Sequence, residues 1–310
     1  MTDHDRVPSG GRARQRLVLA VIAVGLAASA CGAGSGGLPP SSPVLPSADP
    51  PTASPSLPLA SGSPASAPST AGHSGPGADS GGQAPARSAR PLAGKIVGID
   101  PGHNGGNFTD ASYIGHQIWN GLEWEACDTT GTETDGGYTE AQFNFSVALD
   151  LRADLRRDGA TVVMTRTSND GVGPCIEQRA EIINAAHANV AVDIHADGGP
   201  ASGRGFTILE PVGDGANDAV ITSSQQFGSD LRRALLADVP AMPESTYNGS
   251  QGIMPRDDLA GLNLTSVPKV LIECGNMRNA TDAQLLVSAS FQQRVARAIE
   301  VAIISFLRAG

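Results

Sequence analysis

The sequence predicts an α/β domain: an open, mostly parallel twisted sheet with helices on both faces. Two observations carry this. Five short runs rich in β-branched and apolar residues recur after residue 91, and stretches with helical periodicity separate them. Strands that alternate with helices build a sheet covered on both faces. No internal repeat interrupts the pattern.

The first 91 of the 310 residues have a different composition. Every Phe, Tyr and Trp lies between Phe108 and Phe306, and Gly32–Pro91 has no aromatic residue and no isoleucine. Such a segment cannot bury enough apolar surface to offset its ordering entropy, so 31–91 reads as a Ser/Pro/Gly/Ala linker. Residues 1–30 read as an export signal. Arg12, Arg14 and Arg16 form a basic region, Leu17–Ala27 an apolar one, and Ala28-Ser29-Ala30 a small-residue cleavage site. Cys31 follows directly and is a candidate lipid acceptor, which would anchor the protein to the membrane. The folded domain is then 92–310. It carries 27 acidic and 15 basic residues, a formal charge near −12, which argues against a nucleic-acid partner.

The first strand is "IVGID", stopped by the turn chemistry of Asp100-Pro101-Gly102, with His103 just past its end. Asn104–Tyr138 reads as a long loop rich in Gly, Thr and acids, and loops of that length are usually functional or separately fastened. In "TEAQFNFSVALDLRADLRRDG", Phe143, Val147, Leu151 and Leu155 recur every four residues. Thr139 is the expected N-cap and Gly159 the expected stop. Thr161–Arg166 is the second strand, Ile176–Asn189 a second helix, Val190–His195 the third strand and Gly205–Glu210 the fourth. Ala219–Asp238 is mainly helical, and a loop leads to the fifth strand, Lys269–Glu273. An amphipathic helix, Phe291–Leu307, closes the chain.

His103, His195 and Glu273 thus fall at the carboxyl ends of three apolar strands, the edge at which open α/β sheets bind ligands. Glu140 opens the intervening helix. Taken singly, Glu140 could complement the helix dipole and His195 could be a satisfied strand-end histidine. Glu273 is harder to dismiss, because a carboxylate after Val270-Leu271-Ile272 risks desolvation without a partner. Two imidazoles and one carboxylate make a three-ligand zinc site with a fourth position for water. A second carboxylate beside that water supplies general base and then general acid catalysis. Glu273 is the choice for that role, although spacing alone does not decide which glutamate does which job.

Export places the domain where disulfides persist. Cys127 and Cys175 fall in polar, glycine-rich segments, whereas Cys274 follows a buried-strand pattern. Pairing Cys127 with Cys175 and leaving Cys274 as a small buried hydrophobe is the economical expectation, one that sequence alone does not prove.

Five stretches, "VGIDPGHNGG", "TEAQFNFSVALDLRADLRRDGATVVMTR", "QRAEIINAAHANVAVDIHAD", "RDDLAGLN" and "KVLIECGNMRNATDAQLL", together resemble the zinc-dependent N-acetylmuramoyl-L-alanine amidases of the type-3 amidase family, in the same order. The resemblance spans about Lys95 to Leu307. It implies zinc ligands at His103, Glu140 and His195, the catalytic glutamate at Glu273, and substrate contacts at Arg256 and Asn263. It also implies one zinc per domain, hydrolysis of the amide joining N-acetylmuramic acid to L-alanine in peptidoglycan, and a place in the cell envelope, as an expected monomer. Two departures stand out: the Asn104–Tyr138 segment is longer than the family's compact form, and Asn104 replaces a common glycine. Two other functions compete. A zinc peptidase cutting the peptidoglycan stem peptide would use the same metal chemistry, and a non-catalytic wall-binding lipoprotein would lack a ligand or the base.

Overall fold

A computed structural model of the chain describes residues 90–213 and 215–309. They belong to one of the two units into which the chain divides, Ala78–Gly310. The predicted signal segment, Cys31 and the linker up to residue 89 lie outside the described residues.

β1 (Ile96–Pro101) is followed by a 3-10 turn (Asn107–Thr109), α1 (Ala111–Ile114) and two short strands, β2 (Gln117–Trp119) and β3 (Trp124–Ala126). Next come α2 (Glu140–Arg157), β4 (Thr161–Met164), α3 (Ile176–Ala185), β5 (Val190–Asp197) and β6 (Thr207–Pro211). The chain then forms α4 (Ile221–Asp238), β7 (Ile253–Arg256), α5 (Ala260–Asn263), β8 (Lys269–Asn276), α6 (Ala280–Leu286) and α7 (Ala289–Ala309).

The main sheet has the order β4-β1-β5-β8-β6-β7. β4, β1, β5 and β8 run parallel, while β6 pairs antiparallel with β8 and parallel with β7. Val97, Ile99, Val192, Ile194, Val270 and Ile272 pack one face against Phe143 and Leu151 of α2, Phe227 of α4 and Ile299 of α7. On the other face Ile183 of α3 packs on Ala191, and Leu262 of α5 packs on Leu209 and Leu271. Helices therefore cover both faces. Among the described residues no helix is long and apolar enough to cross a membrane.

Local chemistry sets the ends of the elements. Thr139 caps α2 by accepting from the Gln142 N–H, and Gly159 turns the chain after it with φ +97°. α3 stops at Ala185, short of the expected Asn189, because His187 takes a left-handed φ of 49° and stands exposed. β8 continues to Asn276, so Glu273 lies within its strand rather than at its end.

The expected loop Asn104–Tyr138 is partly regular. The Asp110 carboxylate caps α1, and β2 and β3 form an antiparallel hairpin whose Ile118 packs with Cys127, Cys175 and Ala260 in a small core of its own. Cys127 and Cys175 form a disulfide, and Cys274 is free and buried. The bond joins residues 48 apart, for which the chain-entropy account sets a ceiling of about 4 kcal/mol. Replacing both cysteines with Ser should lower the thermal midpoint and speed amide exchange at Ile118. Unchanged protection there would mean that the hairpin holds itself.

Candidate active site

Strand pleating decides which residues meet the site. On β5 and β8, Val192, Ile194, Val270 and Ile272 point into the apolar layer. Asp193, His195, Leu271 and Glu273 point the other way and line a cavity of about 350 Å³. His195 and Glu273 stand directly opposite each other in the ladder.

His103 reaches the same cavity from the turn after β1. The Gly102 N–H donates to the Ile194 carbonyl at 3.0 Å, and the Gly102 carbonyl accepts from Asn144 Nδ2 at 3.1 Å and Arg166 Nη2 at 3.2 Å. Arg166 also donates to the Ala141 carbonyl at 2.9 Å. One buried guanidinium thus ties the turn before His103 to the first turn of α2, where Glu140 sits. His103 has φ 54°, a left-handed conformation that a non-glycine residue holds only when its surroundings impose it.

Gly102 has no room for a side chain. A Cβ there would stand 2.1 Å from His195 Nε2. Gly102→Ala should therefore displace the His195 ring and weaken divalent-metal affinity about 10–100-fold, read by competition with a chelator. Unchanged affinity would mean that His195 does not need this position.

Glu140 lies between the two rings. Its Oε1 is 2.8 Å from His195 Nδ1, and its Oε2 is 3.4 Å from His103 Nε2. The Ala196 and Thr132 N–H groups donate to its two oxygens at 3.2 and 3.0 Å. One ligand atom from each of the three residues lies within 4.8 Å of the others. Ligand atoms around a tetrahedral zinc stand about 3.3–3.6 Å apart, given bonds of about 2.0–2.2 Å, so this set could close on a small divalent cation with modest side-chain shifts. His116 also lies near two sulfurs, but these belong to Cys127 and Cys175 and are joined to each other.

The electrostatics point the same way. Burial opposes charge on Glu140, yet His103 and His195 outweigh it and hold the carboxyl well below the usual range. Burial would lower His103, but Glu140 and Asp128 push it up to about 9. His195 is likewise raised, with burial outweighed by Asp193 and Glu140. The site attracts positive charge, whether carried by protons or by a cation.

Glu273 behaves differently. Burial pushes its carboxyl up to about 8, with Glu140 and Asp197 adding to the rise and His195 opposing it. Its Oε2 is buried without a hydrogen-bond partner. A carboxylate with raised proton affinity beside two histidines, with one oxygen uncommitted, can take and return a proton.

The structure brings His103, Glu140 and His195 together and sets Glu273 on the wall beside them. Arg256 lines the same cavity, its guanidinium held by Asp258 at 2.6 and 2.7 Å. Asn263 does not reach the wall. α5 turns it inward, fully buried, where its amide donates to the Asp257 carbonyl at 2.8 Å. Sequence reasoning overlooked Asp100, Asp128, Arg166, Arg179, Asp193 and Lys269, all buried here. A signal existed for three of them: Asp100, Asp193 and Lys269 are charged residues inside apolar strands, where a charge needs a partner.

Comparison with known proteins bears on the family and the fold. An N-acetylmuramoyl-L-alanine amidase of Mycobacterium tuberculosis is 41% identical over 220 residues, covering 70% of this chain and 88% of the relative. The crystal structure of the N-acetylmuramyl-L-alanine amidase Ami1 from Mycobacterium smegmatis aligns with TM-score 0.67 at 40% identity, covering 71% of this chain and 99% of that one. Ami1 from Mycobacterium abscessus aligns with TM-score 0.66 at 40% identity, covering 70% and 100%. The family described as N-acetylmuramoyl-L-alanine amidase matches residues 97–305, the sheet and its helices except the first residue of β1 and the last turn of α7, and this chain belongs to that family.

Proposed function

We propose that the protein is a zinc-dependent amidase of the cell envelope that hydrolyses the amide between the lactyl group of N-acetylmuramic acid and L-alanine in peptidoglycan. The observation that carries the reading is the convergence of His103, Glu140 and His195 beside a buried, uncommitted Glu273 carboxylate in a family of this activity. His103, Glu140 and His195 would hold the metal. Bound zinc supplies Lewis acidity, which acidifies water and polarises a carbonyl.

The chain's own residues do the rest. Glu273 accepts a proton from the attacking water as the oxygen adds to the lactyl carbonyl carbon. It then delivers that proton to the alanine nitrogen as the C–N bond breaks, leaving a lactyl carboxylate and a free amine. Burial and the nearby Glu140 and Asp197 carboxylates raise the proton affinity of Glu273 and so help it hold the proton between the two steps. Arg256, on the cavity wall, is the proposed substrate contact, and Asn263 supports the backbone beside it. Residues 1–30 would direct export, and Cys31 would accept a lipid.

Mass spectrometry of digested peptidoglycan tests the bond specificity. The expected products are intact stem peptides with a free alanine amine and glycan chains stripped of peptide. Shortened stems still attached to sugar would instead show a peptidase. Intact mass of the membrane-extracted protein tests the lipid.

A further inference from the structure

We propose that Asp100, Arg179 and Lys269 are positioning residues: with Asp128 and Asp193 they form one buried ionic frame that holds His103 and His195 in fixed ring orientations, with opposite nitrogens facing Glu140. The proposal rests on the metal reading above.

The frame can be traced atom by atom. His103 Nδ1 lies 3.0 Å from Asp128 Oδ1, and Asp128 Oδ2 lies 3.3 Å from Arg179 Nη2. Arg179 Nη1 donates to Asp100 Oδ1 at 3.1 Å, and Lys269 Nζ donates to Asp100 Oδ2 at 2.8 Å. Lys269 Nζ lies 3.4 Å from Asp193 Oδ2, and Asp193 Oδ1 lies 3.3 Å from His195 Nε2. Charge alternates along the whole path. None of the five charged residues is more than 5% exposed.

A purely structural account fits this poorly. Burying ions is costly, and a buried ion pair seldom stabilises a fold more than apolar residues of similar size would. The same face of β8 carries Leu271, which shows that apolar packing is available there. What the ions add is direction. Both ends of the path stop on a histidine nitrogen, and Asp193 Oδ1 has no aligned hydrogen-bond partner, only the His195 ring beside it. Each terminal carboxylate attracts the N–H of its ring, which leaves the other nitrogen's lone pair for the site. For His103 that nitrogen is Nε2, and for His195 it is Nδ1, the two atoms that face Glu140. Arg179 Nη2 also donates to the His103 carbonyl at 2.9 Å, clamping the residue whose φ is 54°.

Asp100 is the informative position. It touches neither histidine, yet both cations meet on it. Asp100→Asn should therefore disturb both rings at once. With the full chain, zinc affinity measured against a competing chelator should fall about tenfold or more, the lower end of what outer partners of a metal site contribute. In long-range proton–nitrogen spectra of the zinc-loaded wild type, His103 should carry its proton on Nδ1 and His195 on Nε2, and the variant should blur both signals. Ile303→Ala, a cavity in the apolar core, serves as control: it should lower the melting temperature without moving either readout. If Asp100→Asn does not fold, the pair Asp100→Asn/Lys269→Met removes one charge of each sign and takes its place. The frame is overturned if a folded variant keeps wild-type affinity and ring signals, or if both wild-type rings carry the proton on the same nitrogen. A wild-type chain that binds no zinc would overturn the metal reading itself, and is told apart by failing before any variant is compared.

Discussion

Glu273→Gln is expected to lose roughly 10²–10⁴-fold in turnover while keeping its zinc. The substitution preserves shape and hydrogen-bonding capacity but removes the ability to carry a proton. In the structure Glu273 faces the cavity from the strand beside His195, with Oε2 buried and unpartnered. Burial pushes its carboxyl up to about 8, so folding disfavours its charge, and Gln should leave the melting temperature unchanged or higher. A drop in turnover with full metal content and an intact fold isolates proton transfer as the lost step. Near-normal hydrolysis would move the base elsewhere. Loss of zinc would make Glu273 a ligand instead.

His195→Ala should show the opposite pattern, losing metal and activity together. In the proposed site its ring supplies one of three ligand atoms, and Glu140 Oε1 stands only 2.8 Å from Nδ1. Without the ring, Glu140 keeps a single imidazole partner, and two ligands hold zinc poorly in competition with water. His103→Ala should behave alike. Elemental analysis should find about one zinc per chain in the wild type and far less in both variants, with helix and strand content retained because the apolar layer lies on the sheet's other face. Stoichiometric zinc in both variants would sink the ligand assignment.

Local pattern made much of this architecture readable. The β-branched runs gave away five of the six strands of the main sheet, and the spacing of Phe143, Val147, Leu151 and Leu155 marked α2. β7 escaped because "IMPR" contains Pro255, which an edge strand tolerates. The reversed direction of β6 escaped because alternation does not encode polarity. Glu140 stood out at the start of α2 and His103 just past β1, whereas His195, expected to end its strand, lies two residues inside β5. The ionic frame was not, although its charges stood out in apolar strands. Pairing Asp100 with Lys269, 169 residues away, requires the strand order β1-β5-β8, and no local signal carries that.

The pleat of β5 and the hairpin β2–β3 respond differently to a change in length. Deleting one residue within β5 would turn Asp193 and His195 into the apolar layer and bring Val192 and Ile194 into the cavity, so core and chemistry would fail together. A residue added between Trp119 and Trp124 would alter only a two-stranded ribbon tied at Cys127, whose Glu125 and Ala126 border the cavity. Length variation in such a lineage should therefore collect at the rim. There it can alter the width of the entrance, and with it the bulk of substrate admitted, while the interior keeps its register.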